Sequence, residues 1–272
     1  MTNGWYAVLL LSAFPGALQA QSGQAPTSSG RASADVIEDA VVQIQVLIAG
    51  KPAQAIGTGF FAERDDLVVT AEHVYLAAES AINDSRDGLL AVVKQWPTAS
   101  PGNMFFAPTE LAAEDAPHDI AILRVNPFLV QAQSREFPIR PLHLAETDPR
   151  PGDDVAFAGY FGADTLPLFQ RGVIAGRAKP SNTDEELVVQ ASTNSGQSGS
   201  PLVLVSSGKV VGVIVASLGS SYTPGAAASN TGLSRAAEVV HVRRLLNSIP
   251  PQGAEQRSVP GRSAVPRRNS QR

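Results

Sequence analysis

Cysteine is absent from the chain. That excludes a disulfide framework, a thiolate nucleophile and any cysteine-ligated metal centre. Histidine is scarce too. His73, His118, His143 and His241 are the whole complement, with no spacing such as His-x3-His, so no metal and no other cofactor is expected. Charged residues are few, at 17% of the chain against 43% hydrophobic. That balance suits a globular protein whose core is large enough to hold without cross-links. After the first 20 residues nothing approaches the 18 consecutive apolar residues that mark a spanning helix.

The charge that is present is unevenly placed. The formal net charge is −4, yet residues 251–272 hold Arg257, Arg262, Arg267, Arg268 and Arg272 against Glu255. Residues 1–20 carry no charge, so the body between them stands at about −8. A body of that sign argues against a nucleic-acid-binding domain. The tail, rich in Pro, Ser, Gln and Arg, has little apolar surface to bury and is expected to be disordered.

Residues 7–14, Ala-Val-Leu-Leu-Leu-Ser-Ala-Phe, form a short apolar block that Pro15-Gly16 breaks, and Ala17 to Ala20 offers small residues for cleavage. This is the layout of a signal peptide over residues 1–20, too short for a spanning helix, although residues 2–6 lack Lys and Arg. Export to a periplasm or the medium is expected, an uncleaved anchor being the alternative. Residues 21–35 are expected to be a flexible linker.

Short apolar runs rich in Val, Ile, Leu and Phe follow at 40–48, 55–62, 67–71, 89–95, 119–125, 154–160, 168–176, 186–192, 201–205 and 209–217. Runs of 5 to 9 residues with turn punctuation are the signature of strands. Ser206-Ser207-Gly208 predicts a hairpin turn. Many strands and few helical stretches predict a sandwich or a barrel. The proline-bearing stretch 137–141 predicts a crossing between halves. Residues 235–249 predict a helix, with Val239, Val242, Leu245, Leu246 and Ile249 on one stripe.

Three segments carry chemistry, in the order Val68-Val69-Thr70-Ala71-Glu72-His73, His118-Asp119-Ile120-Ala121-Ile122-Leu123 and Gly196-Gln197-Ser198-Gly199-Ser200-Pro201. Each sets a reactive side chain against an apolar run or a Gly-rich turn. Together they supply a base, a carboxylate to orient it and a hydroxyl nucleophile, the parts a serine needs to attack at neutral pH. Asp115 and Glu114 compete for the carboxylate role but sit in a polar stretch and are expected to be solvated. His118 is expected to point away from Asp119 on an extended strand. Glu72 is also expected to be solvated.

These segments resemble the chymotrypsin-like serine proteases and, within them, the cysteine-free HtrA-like branch. The likeness rests on Gly57-Thr58-Gly59-Phe60, Asp119-Ile120-Ala121-Ile122-Leu123 and Gly196-Gln197-Ser198-Gly199-Ser200-Pro201-Leu202-Val203. Pro151-Gly152-Asp153-Asp154-Val155 and Arg171-Gly172-Val173-Ile174-Ala175-Gly176 add to it. It covers roughly residues 36–248 and implies an all-β fold of two six-stranded antiparallel barrels with a C-terminal helix. The first barrel would span 36–135 and the second 136–249, with a disordered tail at 250–272 and no PDZ domain.

The resemblance implies an exported serine endopeptidase acting on protein or peptide substrates through an acyl-enzyme. His73, Asp119 and Ser198 would be the triad, with the N–H groups of Gly196 and Ser198 as oxyanion donors. Ser192 would form the floor of the primary pocket and Val215, Ala216 and Ser217 its wall. An uncharged floor predicts a preference for uncharged side chains. Gln197 stands where animal zymogens of this fold carry an aspartate, so activation by N-terminal insertion is not expected. A non-catalytic peptide-binding module and an esterase-like hydrolase are the alternative readings.

Overall fold

The computed structural model describes residues 28–85, 87–95, 104–133, 139–179, 185–220 and 229–251. The signal segment, the start of the linker, Phe137, Pro138 and the basic tail lie outside them.

Twelve strands close into two antiparallel barrels. The first takes β1 (Val41–Ile48), β2 (Gln54–Phe61), β3 (Leu67–Thr70), β4 (Gly88–Lys94), β5 (Phe105–Asp115) and β6 (Ile120–Val125), in the order β1-β2-β3-β6-β5-β4. The second takes β7 (Asp154–Gly159), β8 (Leu168–Ala178), β9 (Glu186–Gln190), β10 (Pro201–Leu204), β11 (Lys209–Ser220) and β12 (Ser229–Glu238), in the order β10-β11-β12-β9-β8-β7. Closure leaves neither sheet an unpaired edge. Among the described residues four α-helices accompany the strands: α1 (Ser28–Ala40), α2 (Glu72–Ser85), α3 (Pro127–Gln133) and α4 (Val239–Ser248).

Residues expected as a linker and as a helix are reassigned here. α1 begins inside the segment predicted to be flexible, and it buries Ile37 and Ala40. Its last turn is tied down by Lys94, whose buried ammonium donates to the carbonyls of Glu38 and Val41. Burial pulls the Lys94 pKa down to about 8, against the opposing pull of the Asp39 and Glu38 carboxylates. At the other end, residues 235–238 belong to β12, because Arg235 and Ala236 pair with both β9 and β11. The helix starts only at Val239, and Val242, Leu246 and Ile249 are buried along its stripe as predicted. Gly208, at a φ of 69°, closes the predicted β10–β11 turn by donating to Leu204 O at 2.8 Å.

The larger core fills the first barrel with Phe60, Phe61 and Phe105 and continues to Tyr160, Val213 and Val215 of the second. Phe61 and Phe105 meet edge to face at 6.2 Å. α4 is stitched to the first barrel from outside. Asp66, 5% exposed, takes a bidentate hydrogen bond from Arg64 at 2.7 and 2.6 Å. Arg64 also donates to Ile249 O, and Arg124 to Pro250 O, each at 3.4 Å. The connection between the halves is bonded to both, with Leu142 N donating to Phe61 O and Ala145 N to Val210 O.

Candidate active site

His73 is the second residue of α2, a 14-residue helix. β3 delivers it, and the buried Val74 and Ala78 hold the helix against the barrel. Asp119 sits at the mouth of β6. It does not open an extended strand, as expected. A 3-10 turn, Ala116–His118, precedes it, and Asp119 caps that turn in the left-handed region at φ 54° and ψ 48°. Such a backbone is uncommon for any residue but glycine and tolerable for aspartate.

That twist aims the carboxylate at His73. Its Oδ2 lies 2.7 Å from His73 Nδ1, and its Oδ1 accepts from the His73 backbone N–H at 2.8 Å. Glu72 N–H donates to Asp119 O at 3.1 Å. An ionised carboxylate only accepts, so Nδ1 carries the proton and Nε2 is left basic. The pair is open to solvent, with the two side chains 48% and 31% exposed. Glu72 is partly buried beside it rather than solvated. Burial, and then the carboxylates of Glu114, Asp119 and Asp115, push its own carboxyl above the usual range.

Ser198 lies in a turn that needs glycine on either side. Gly196 has a φ of 96° and Gly199 one of 88°. A side chain at Gly196 would meet Tyr160 O at 2.7 Å, and one at Gly199 would strike Thr58 O. Within the turn Gln197 N donates to Asn194 O, Gly199 N to Ile214 O and Ser200 N to Gln197 O. The N–H groups of Gly196 and Ser198 make no hydrogen bond among the described residues. The hydroxyl of Ser198 donates to Val215 O at 3.5 Å and is not bonded to the His73 ring. Resting active sites of this kind often tighten that contact only when substrate is bound. Val215 is itself the extra residue of a bulge, between Ile214 paired to Ala236 and Ala216 paired to Arg235.

The chain matches the model of the trypsin-like peptidase domain over residues 57–213, more than half its length. It belongs to that family. Solved structures agree on the fold. One is the active form of the Rv3671c protease of M. tuberculosis, at 22% identity and TM-score 0.58, covering 84% of this chain and 88% of that one. Deg5 matches at 19% identity and TM-score 0.56, covering 79% and 91%. AlgW, an HtrA-type protease solved with a tripeptide, matches at 17% and 0.57, covering 81% and 63%. No curated protein matches the chain by sequence.

Around this candidate site, Ser192 is exposed and faces Gly232 of β12, where an added Cβ would come within 4.0 Å of its Oγ. Val215 is buried, Ala216 partly so, and Ser217 is exposed. Gln197 is fully buried; its Oε1 accepts from Asn194 N at 2.9 Å and its Nε2 has no partner among the described residues.

Sequence reasoning missed a second cluster four residues from Asp119. Asp115 is 12% exposed, not solvated: its Oδ1 lies 2.7 Å from His118 Nδ1, and its Oδ2 accepts from Arg244 at 2.9 Å. Burial raises the Asp115 carboxyl, but hydrogen bonds from His118 and Arg244 outweigh it and hold the group below its usual range. His118 packs as well as pairs. Its ring stacks on His241 of α4, centroids 3.5 Å apart at 16°. Ligand atoms of Asp115, His118 and His241 lie close enough to suggest a metal site. The stack does not suit one, since an ion in the plane of one ring would stand about 3.5 Å off the plane of the other. No signal in the sequence joins these residues, because Arg244 and His241 arrive from the far end of the chain.

Proposed function

We propose that the protein is an exported serine endopeptidase. Ser198 Oγ attacks the scissile carbonyl while His73 Nε2 takes its proton, and Asp119 holds the ring and balances the imidazolium. The developing oxyanion is received by the N–H groups of Gly196 and Ser198, which no group among the described residues uses. As the C–N bond breaks, His73 gives its proton to the leaving amine. Water, activated by the same ring, then hydrolyses the acyl-enzyme.

The observation that carries this reading is the two-point grip of Asp119 on His73 in a chain of this peptidase family. With no acid at Ser192, the primary pocket favours uncharged side chains such as Val, Leu or Ala. Export rests on the apolar block of the first 20 residues.

The test is a fluorophosphonate probe on the purified protein, with the labelled residue mapped by mass spectrometry. Label on Ser198 is expected. Ser198→Ala should digest casein at no more than a few per cent of the wild-type rate, because nucleophile and base act as a unit. A variant that keeps most of its activity overturns the assignment.

A further inference from the structure

Oxyanion donors work only if their peptide planes are fixed before substrate arrives. Gly196 N belongs to the Ser195–Gly196 peptide, whose carbonyl accepts from Gly162 N at 3.1 Å. Ser198 N belongs to the Gln197–Ser198 peptide, whose carbonyl accepts from Ser200 N at 3.1 Å and from Ser200 Oγ at 2.7 Å. In a planar trans peptide, C=O and N–H point in opposite directions. Holding each carbonyl therefore aims the N–H behind it.

Between those two planes lies the Gly196–Gln197 peptide, and its orientation sets how the two donors converge. Its carbonyl is held by a side chain from the other barrel. Thr58, fully buried on β2, donates from Oγ1 to Gly196 O at 2.7 Å. The same hydroxyl accepts from Tyr160 N at 2.9 Å. The backbone of Thr58 joins in: its N–H donates to Ser198 O at 3.0 Å, and its carbonyl accepts from Thr70 Oγ1 at 2.6 Å. Every polar atom of this residue is thus committed to the nucleophile turn or to what supports it. Gln43 of β1 steadies the neighbouring loop, its Nε2 donating to Gly162 O at 3.4 Å and to Asp164 O at 3.2 Å.

We propose that Thr58 is a positioning residue of the oxyanion hole, its hydroxyl pinning the Gly196–Gln197 peptide so that the Gly196 and Ser198 N–H groups converge. The inference rests on the serine-peptidase reading above. Valine has the shape of threonine without the hydroxyl. Thr58→Val would leave Gly196 O and the buried Tyr160 N without their hydroxyl partner, and the peptide held only from its other side, by Gln197 N–H on Asn194 O.

The test compares Thr58→Val with Thr58→Ser, using a quenched peptide built on a bond that the wild type cuts in casein. For Thr58→Val, kcat should fall about 10²-fold, the order of losing one oxyanion donor, with KM within threefold. Affinity for a peptide boronate, which forms the tetrahedral adduct, should fall in parallel. Thr58→Ser keeps the hydroxyl and should restore kcat to within a few-fold. A Thr58→Val enzyme with wild-type kcat, or a Thr58→Ser enzyme as slow as Thr58→Val, overturns the proposal. Gln43→Met leaves Thr58 in place and tests the same brace from the loop side, should Thr58→Val fail to fold. It should lose about tenfold in kcat at unchanged KM, and an unchanged kcat counts against the brace. Failure of the wild type to label at Ser198 would instead sink the peptidase mechanism itself, so the two failures are told apart.

Discussion

Two carboxylate–imidazole pairs stand four residues apart, Asp119 with His73 and Asp115 with His118, both closed at 2.7 Å. By distance they are the same interaction. Their surroundings differ. The first pair is open to solvent, and the second oxygen of its carboxylate holds the backbone of its own partner. The second is enclosed, its spare oxygen taken by Arg244 and its ring covered by His241. A catalytic pair must keep one ring nitrogen available to a reacting group, whereas a structural pair uses its remaining faces for packing. What separates them is what else each partner touches.

Exchanging the acids one at a time gives the largest contrast. Asp119→Asn should lower kcat by roughly 10⁴-fold, as loss of the orienting carboxylate does in a Ser-His-Asp triad. Asp115→Asn should leave kcat within a few-fold. Steady-state hydrolysis of a casein-derived peptide by both variants decides it, and the reverse ranking would exchange the roles of the two pairs.

Stability should rank them the other way. Asp115→Asn weakens charge-assisted bonds to Arg244 and His118 in a mostly enclosed place and should cost about 1–3 kcal/mol. Asp119→Asn, at a more exposed site, should cost less than about 1 kcal/mol. Urea unfolding at neutral pH measures both. Equal losses would erase the distinction drawn here.

The smallest effect is a pH dependence. The Asp115 carboxyl is held below its ordinary 3.8 in the folded protein. Between that value and the folded one, the unfolded chain binds a proton that the native state does not. Stability from this group is therefore full above about pH 4 and is lost as pH falls through the folded value. The gap in unfolding free energy between wild type and Asp115→Asn should hold steady from about pH 6 to 5 and narrow towards pH 3. A gap that widens on acidification would contradict the sign.

The same contrast explains what could be read from the sequence. Hydrophobic runs such as Val41–Ile48 and Asp154–Gly159 announce themselves as strands because their composition favours the pleat wherever they pair. β5, Phe105–Asp115, mixes Pro108 and scattered polar residues, and β12, Ser229–Glu238, is mostly small or polar. Each becomes a strand through its two neighbours, which no local window contains. His73, Asp119 and Ser198 could be named as candidates because each sits in a short motif. The partners of Asp115 and Thr58 could not. Asp115 depends on a partner 129 residues away, and Thr58 on one 138 residues away. Asp119 further hid the course of its own segment, since its left-handed backbone interrupts the strand alternation that the pattern assumed.

The way α4 is fastened has a thermodynamic consequence. By chain order the helix belongs with the second barrel, yet Arg64 and Arg124 of the first hold the carbonyls that follow it, and its apolar stripe lies in the core that both barrels share. Neither barrel can lose its order without uncovering surface that the other relies on. Two halves with separate barrels are joined into one cooperative unit, and a local opening in either is opposed by the stability of both.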